Sequence, residues 1–307
     1  MRDEFVEEIE KIALEDRDFM LLTGDLGFGI FDGFAERFPE QFLNVGVAEQ
    51  NMVGIATGLA LSGKKVVTYS IANFATLRCL EQIRNDAAYH EANVTVVASG
   101  GGFTYGSLGM SHHATEDLAI MRALPGVQVV APTSPDDTRS AIRELVATKG
   151  VGYLRIEKGG KNYPSVDAGS FQLGKVKTIR QGTDVSICVT GGLAGEVMQL
   201  ADLLAQQGIE ARVECVHTLK PLDESGILEA VKSTKALVVI EEHNRVGGLG
   251  SAICELLVRN NVRAAKFAHV GLPDEYSAIV GDQNYLRQRF GLDADSMFIM
   301  IQALIEG

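Results

Sequence analysis

The chain has 307 residues, of which 46% are hydrophobic and 22% charged, and these values exclude a largely disordered protein. The formal net charge of −12 argues against nucleic-acid binding, because a surface that neutralises phosphates needs clustered basic residues. No apolar run approaches the ~18 residues of a membrane span, and the acidic N-terminus is unlike a secretory signal or transit peptide. We therefore expect a cytoplasmic protein without membrane or nucleic-acid partners.

The first half of the chain alternates amphipathic helices with short apolar strands. A helix at residues 3–16 places Phe5, Ile9 and Ile12 on one side and acids on the other. The other predicted elements of this half are, in order, a strand at 19–23, a short helix within 31–38, a helix within 44–61, a strand at 64–69, a helix at 77–87, a strand at 93–99, a helix at 135–148 and a strand at 152–156. This alternation is typical of a parallel sheet covered by helices.

The second half repeats the same alternation after a polar, interrupted stretch. Residues 161–182 are interpreted as a linker with a short strand near its end, because glycines and polar residues interrupt every apolar pattern there. The sequence predicts an α/β fold of two domains, residues 1–160 and residues 183–307, each a mainly parallel sheet covered by helices. The length is sufficient for two domains of ordinary size.

The helix predicted within residues 44–61, NVGVAEQNMVGIATGLAL, carries the leading candidate for catalysis. Glu49 falls in its first turn, where unpaired backbone N–H groups and the helix dipole favour a negative charge. A first-turn glutamate often does no more than stabilise its helix. Gly54 and Gly58 lie one turn apart and each costs roughly 1 kcal/mol in a helix interior, so we expect a neighbour to approach the backbone closely there.

Four further residues stand at junctions where an open α/β sheet binds ligands. Asp25 follows the first strand in a Gly-Asp-Leu-Gly turn, which it could simply shape. Phe74 lies between a strand and a helix, and His112 lies in a glycine-rich loop after the next strand. Arg155 stands at the end of the last strand of this half, and its planar guanidinium suits an anionic group as well as a surface ion pair.

Several long segments closely resemble the transketolase family. These are VGVAEQNMVGIATGLAL, ANFATLRCLEQIR, the run from GGGFTYGSLGMSHHATEDL through MRALPGVQVVAP, and VVIEEHNRVGGLGSAI. The resemblance implies that Glu49 contacts the pyrimidine ring of thiamine diphosphate and activates that cofactor, and that Phe74 stacks on the same ring. It further implies that His112 is an active-site histidine acting on protons or hydroxyls of the substrate, and that Arg155 binds an anionic group, with Asp25 a weaker substrate candidate.

The glycine-rich loop departs from the family pattern at two positions. Leu108 stands where transketolases usually carry a sugar-contacting aspartate, and Gly100 stands where many members carry another substrate-facing histidine. A polar site that loses such partners discriminates between substrates differently. The resemblance therefore implies that cofactor chemistry survives here while the usual sugar phosphate is not the expected substrate.

The diphosphate of the cofactor needs a partner chain. Transketolases hold it through a divalent metal, usually Mg²⁺, bound by a Gly-Asp-Gly motif that occurs nowhere in the chain. The four cysteines are scattered without CxxC spacing, so we predict no metal site in this chain itself. The resemblance thus implies a separate N-terminal subunit that carries the Gly-Asp-Gly domain, and a self-dimer of this chain within an α2β2 tetramer.

The sequence is identified as the C-terminal section of a split transketolase, with a pyrimidine-binding domain, the linker and a transketolase C-terminal domain. It implies transfer of a two-carbon ketol unit between sugars or sugar derivatives. Three alternatives remain open, namely an enzyme similar to 1-deoxyxylulose-5-phosphate synthase, the β subunit of a 2-oxo acid dehydrogenase, and a non-catalytic scaffold subunit. The donor, the acceptor and the substituent on the substrate are not specified by these motifs.

Overall fold

The computed structural model describes residues 1–157 and 171–306. The strands within this part of the chain are β1 (Phe19–Thr23), β2 (Phe42–Asn44), β3 (Lys65–Ile71), β4 (Val94–Ser99), β5 (Gln128–Val130), β6 (Val151–Ile156), β7 (Lys177–Arg180), β8 (Val185–Val189), β9 (Ala211–Cys215), β10 (Thr218–Lys220), β11 (Ala236–Asn244) and β12 (Phe267–Leu272). The helices are α1 (Arg2–Glu15), α2 (Asp32–Arg37), α3 (Glu49–Leu61), α4 (Ala72–Thr76), α5 (Leu80–Gln82), α6 (Asp117–Ala123), α7 (Pro135–Ala147), α8 (Ala194–Gln206), α9 (Glu224–Ser233), α10 (Leu249–Arg259), α11 (Gln283–Arg289) and α12 (Ala294–Glu306).

The first sheet has the strand order β10-β5-β6-β4-β3-β1-β2. All neighbours are parallel except β10, which runs antiparallel to β5 with Thr218 opposite Val130. Every residue of β4 and β6 is buried, because helices cover both faces of the sheet. The carboxyl ends of the parallel strands meet at one edge, and the loops that follow them carry the candidate residues.

Two apolar layers enclose this sheet. One layer joins α1 and α7, where Phe5 stacks on Tyr69 with ring centroids 5.7 Å apart. The other layer contains Met52 and Ala56 of α3 and continues without a break to residues of the second half, such as Leu237 and Ile253. The shared layer makes the two halves pack as one body through a continuous core.

The second sheet has the strand order β12-β11-β8-β9-β7. Four strands are parallel, and β7 pairs antiparallel with β9, with Lys177 opposite Cys215. Helices α8 and α12 cover one face through Leu200, Met297 and Ile301. The two mainly parallel sheets covered by helices confirm the predicted α/β fold. In the described part of the chain, no helix is long and apolar enough to cross a membrane.

Several element predictions are refined by the structure. The helix predicted at 77–87 is α5 followed by a π-helical segment, Ile83–Ala88. The short strand expected near the end of the linker is β7, whereas residues 158–170 lie outside the described part of the chain. The domain limits at 160 and 183 stay a prediction, and β10, which lies beyond the second limit, pairs with the first sheet.

The two glycines of α3 do not have the close neighbour that the sequence led us to expect. A Cβ added to Gly54 or Gly58 would meet no atom within 4 Å in the described residues, and both positions are exposed. The apolar face of the helix, with Met52, Val53 and Ala56, packs onto the sheet on the opposite side. The expectation of close packing at these glycines was therefore wrong for the chain by itself.

Candidate active site

Glu49 is a buried carboxylate at the first residue of α3. Its side chain is 3% exposed, and a Cβ added to Gly24 would lie 3.4 Å from its Cγ, so the loop after β1 covers it closely. Oε2 accepts a hydrogen bond of 2.7 Å from Nη1 of Arg78. The preceding residue, Ala48, offers no side-chain cap, so Glu49 provides the negative charge at this helix N-terminus.

Phe74 is linked to Glu49 through the same arginine. The guanidinium carbon of Arg78 lies 4.4 Å from the centroid of the Phe74 ring, in a cation–π contact. Sequence reasoning missed Arg78. The four-residue separation of Phe74 and Arg78 at a helical start was the available signal, because residues so spaced share one helix face.

His112 completes a continuous row of side chains. Its ring centroid lies 5.1 Å from that of Phe74, with the two planes at 63°. The short 3-10 turn that carries His112 is fixed to α4, because Asn73 Nδ2 donates a 2.5 Å hydrogen bond to the carbonyl of Ser111. Ser111 Oγ also lies 3.0 Å from His112 Nδ1.

Asp25 borders the row on the side of Glu49, next to Gly24. Its backbone N–H donates to Asn44 Oδ1 at 2.9 Å, and Asn44 Nδ2 donates back to Asp25 Oδ1 at 3.3 Å. Asp25 has a φ of 58°, a left-handed conformation that aspartate tolerates better than most residues. The exposed carboxylate therefore has a fixed position at the rim, and its role toward a substrate stays a prediction.

Arg155 does not join this group. Its side chain is 6% exposed, and Nη2 donates a 2.9 Å hydrogen bond to the carbonyl of Glu242. A Cβ on Gly101 would collide with the guanidinium, so the glycine loop lies directly over it. All these contacts lie within the protein, and the substrate-binding role predicted for Arg155 gains no support from them.

The positions where the loop departs from the family pattern differ in their surroundings. Leu108 is exposed, with 54% of its surface accessible. Gly100 has a φ of 92°, and a Cβ there would collide with the ring of Tyr105. The tyrosine ring thus fills the space beside Gly100, so a larger residue at this position would require a different loop.

A second, buried cluster of charges connects the two halves of the chain. Arg287 Nε donates to Glu242 Oε2 at 2.7 Å, and its Nη2 lies 3.5 Å from Glu157 Oε2. Burial raises the pKa of the Glu157 carboxyl, which opposes ionisation, while Arg287 lowers it. Glu242 Oε1 accepts from the N–H of Phe103 at 2.6 Å, which fixes the glycine loop to β11. No motif in the sequence pointed to this network.

The row of Glu49, Phe74 and His112 fits the planar ring that the sequence led us to expect. A buried carboxylate and the face of an aromatic ring already contact one planar, hydrogen-bonding group, the Arg78 guanidinium. An aminopyrimidine has the same two requirements, a flat face and a ring edge that hydrogen-bonds. In residues 1–157 and 171–306, no three His, Cys, Asp or Glu side chains come together as metal ligands.

Comparisons with known proteins identify the family. The family model "Transketolase, pyrimidine binding domain" matches residues 1–162, and "Transketolase, C-terminal domain" matches residues 174–297. One of the two subunits of the apulose-4-phosphate transketolase of Phocaeicola vulgatus is 36% identical, over 96% of this chain and 94% of its own. The 6-deoxy-6-sulfo-D-fructose transketolase subunit SqwH of a Clostridium species is 36% identical, over 96% and 91%.

A solved structure is similar over the same length. It is described as a split gene transketolase, inactive β4 tetramer, and it has a TM-score of 0.90 and 32% identity. The similarity covers 99% of this chain and 98% of that one. The chain therefore belongs to the transketolase family, as a pyrimidine-binding domain followed by the transketolase C-terminal domain.

Proposed function

We propose that this chain is the C-terminal subunit of a split transketolase that moves a two-carbon ketol unit between sugars or sugar derivatives. The observation that carries the proposal is the row in which Glu49, Phe74 and His112 are joined through Arg78. Enzymes of this family generally use thiamine diphosphate. When bound, that cofactor supplies a nucleophilic carbon and an electron sink for breaking the carbon–carbon bond of a ketose.

The residues of this chain have distinct roles in the proposal. Glu49 shares a proton with a ring nitrogen of the aminopyrimidine, which its position at the helix N-terminus and its burial permit. Phe74 holds the ring flat against α4. His112, at the other end of the row, exchanges protons with substrate hydroxyls, and Asp25 orients the substrate at the rim.

The partner belongs to the same proposal. A separate chain with the Gly-Asp-Gly domain would hold Mg²⁺ and the diphosphate, and would complete the site in an α2β2 tetramer around a self-dimer of this chain. The similar structure described as an inactive β4 tetramer supports the view that such a chain is inactive by itself. We place the assembly in the cytoplasm, in line with three buried, unpaired cysteines, Cys79, Cys188 and Cys215.

The substrate class follows from the altered loop. Leu108 is exposed, and Gly100 is covered by the Tyr105 ring, so the two polar groups that the family pattern leads one to expect are absent. The similar subunits are named for apulose-4-phosphate and for a sulfonated fructose. We propose a modified ketose as donor, and a panel of phosphorylated, sulfonated and deoxy ketoses is the corresponding screen.

The test is Glu49→Gln in the assembly with the candidate partner chain. Glutamine keeps the shape of the side chain but does not accept a proton, so we expect turnover of the active donor to fall by about 100-fold or more. Glu36→Gln, an exposed change in α2, is the matched control and should retain full turnover. Undiminished turnover in Glu49→Gln would refute the catalytic assignment, and absence of turnover with every ketose in the native assembly would favour a scaffold.

A further inference from the structure

We propose that Arg78 is an internal substitute for the cofactor's pyrimidine ring and holds this chain in a closed, cofactor-excluding state. The inference rests on the proposed function, because it takes Glu49 and Phe74 as the groups that bind that ring. It concerns a residue to which neither the sequence pattern nor the proposed chemistry gave a role.

The geometry that leads to this inference is the double use of one guanidinium. Its edge donates to the Glu49 carboxylate at 2.7 Å, and its face lies 4.4 Å from the centroid of the Phe74 ring. A guanidinium is flat and carries N–H donors in its own plane, so it can stack on an aromatic ring and hydrogen-bond at its edge simultaneously. The aminopyrimidine requires the same stacking face and the same carboxylate, so the two groups cannot occupy the site together.

The surroundings of Arg78 allow it to leave. Its side chain is 43% exposed, whereas Glu49 is 3% exposed, so the arginine covers the carboxylate from the solvent side. Its two contacts recorded in the described part of the chain are those with Glu49 and Phe74. Opening the site therefore means rotating one long side chain toward solvent, with no rearrangement of the backbone.

The closed state also protects the buried carboxylate. A buried charge without a partner is costly, and Arg78 supplies that partner until the cofactor arrives. Each cofactor-binding event must first break the ion pair, so the apparent affinity is reduced by the fraction of molecules that are closed. A closed fraction of ~90% would weaken the apparent affinity about tenfold.

The experiment is calorimetric titration of thiamine diphosphate with Mg²⁺ into the copurified assembly of this chain and its partner, for the native chain and for Arg78→Met. Methionine keeps most of the apolar stem but removes the charge and the donors, so we expect the Kd to fall about tenfold. Arg78→Lys keeps the charge but loses the flat fork, and should give an intermediate Kd. Arg84→Met is the matched control, because Arg84 is exposed on the following turn and bonds only Asn85 there. Thermal unfolding of each variant verifies that the chain is folded.

The outcomes separate this inference from the function on which it rests. Tighter binding by Arg78→Met, with Arg84→Met unchanged, supports the substitution of the ring by Arg78. An unchanged or weaker affinity in Arg78→Met would overturn this inference alone, and weaker affinity would make Arg78 a supporting residue of the bound state. Failure of every variant and of the native assembly to bind would overturn the proposed function together with the inference.

Discussion

His217 is a buried histidine whose protonation opposes folding. It is 1% exposed, its ring centroid lies 4.2 Å from that of Phe171, and its Nδ1 lies 2.9 Å from Thr218 Oγ1. Burial lowers the pKa of His217 to about 4, with Lys177 acting in the same direction and Asp137 against it. The folded protein therefore keeps this ring neutral at pH values where the unfolded chain protonates it.

The pH dependence of stability follows with a definite sign. Above pH 7 the ring is neutral in both states and contributes nothing to the pH dependence. Between pH 6.5 and about 4 only the unfolded chain binds the proton, so the free energy of unfolding falls with pH, by about 2 kcal/mol between pH 7 and pH 5. Urea unfolding at both pH values should show this loss, and His217→Asn should lose less. The exposed His90→Asn is the control, and an equal pH dependence in native chain and His217→Asn would contradict the assignment.

Among single residues, the sequence predicted those whose chemistry is visible in a motif. Glu49, Phe74 and His112 lie together as one row, although their separate roles stay predictions. Arg78 was missed because an arginine on an amphipathic helix has no distinctive pattern. The burial of Arg155 under the Gly101 loop depends on partners distant in sequence, such as Glu242, which a strand-end position does not reveal.

The helix α3 carries two glycines that weaken it without an evident packing reason in this chain. Since a Cβ at Gly54 or Gly58 meets no atom within 4 Å of the described structure, alanine would gain helix propensity at no steric cost. We expect Gly54→Ala and Gly58→Ala each to raise the free energy of unfolding by up to about 1 kcal/mol. Urea unfolding of the purified chain measures this change.

A third glycine provides a control of opposite sign. Gly102 has a φ of 57°, and a Cβ there would approach the Glu242 side chain to 2.5 Å. Gly102→Ala should therefore lower the free energy of unfolding by more than about 1 kcal/mol. If Gly54→Ala and Gly58→Ala also lowered it, the helix surface would be less open than the structure indicates.

At the level of elements, periodic patterns predicted what local packing decides. The helix at 3–16 is α1, with Phe5, Ile9 and Ile12 buried as expected. The π-helical turns of Ile83–Ala88 were not predicted, because the apolar spacing there reads equally well as an α-helix. Strand β10 was not assigned to the first sheet, since its partner β5 lies far away in sequence.

The whole molecule depends on the buried charges that connect its halves. Arg287 is the cation shared by Glu242 and Glu157, and its side chain is 9% exposed. Arg287→Met would leave both carboxylates buried without it, so we expect a loss of about 3–5 kcal/mol in the free energy of unfolding. Urea unfolding checks this value, with the exposed Arg289→Met of the same helix as control.

A double variant tests whether the loss arises from the uncompensated carboxylate. Glu242→Gln in the Arg287→Met background removes one of the two stranded negative charges, so part of the lost stability should return. Purely additive losses would mean that Arg287 contributes by packing of its stem and not by its charge.

Strand β10 has a consequence for any attempt to divide this chain. It lies beyond the linker in sequence, yet Thr218 and Lys220 pair with Val130 and Val129, and Lys220 Nζ donates to the carbonyl of Arg122 at 3.1 Å. A gene shortened at the linker would encode a fragment whose outermost strand has bare N–H and C=O groups, which recruit strands from other molecules. Nature's break between two polypeptides, as we propose it for this enzyme, thus has no counterpart at the linker, and the fragment ending at residue 157 would aggregate.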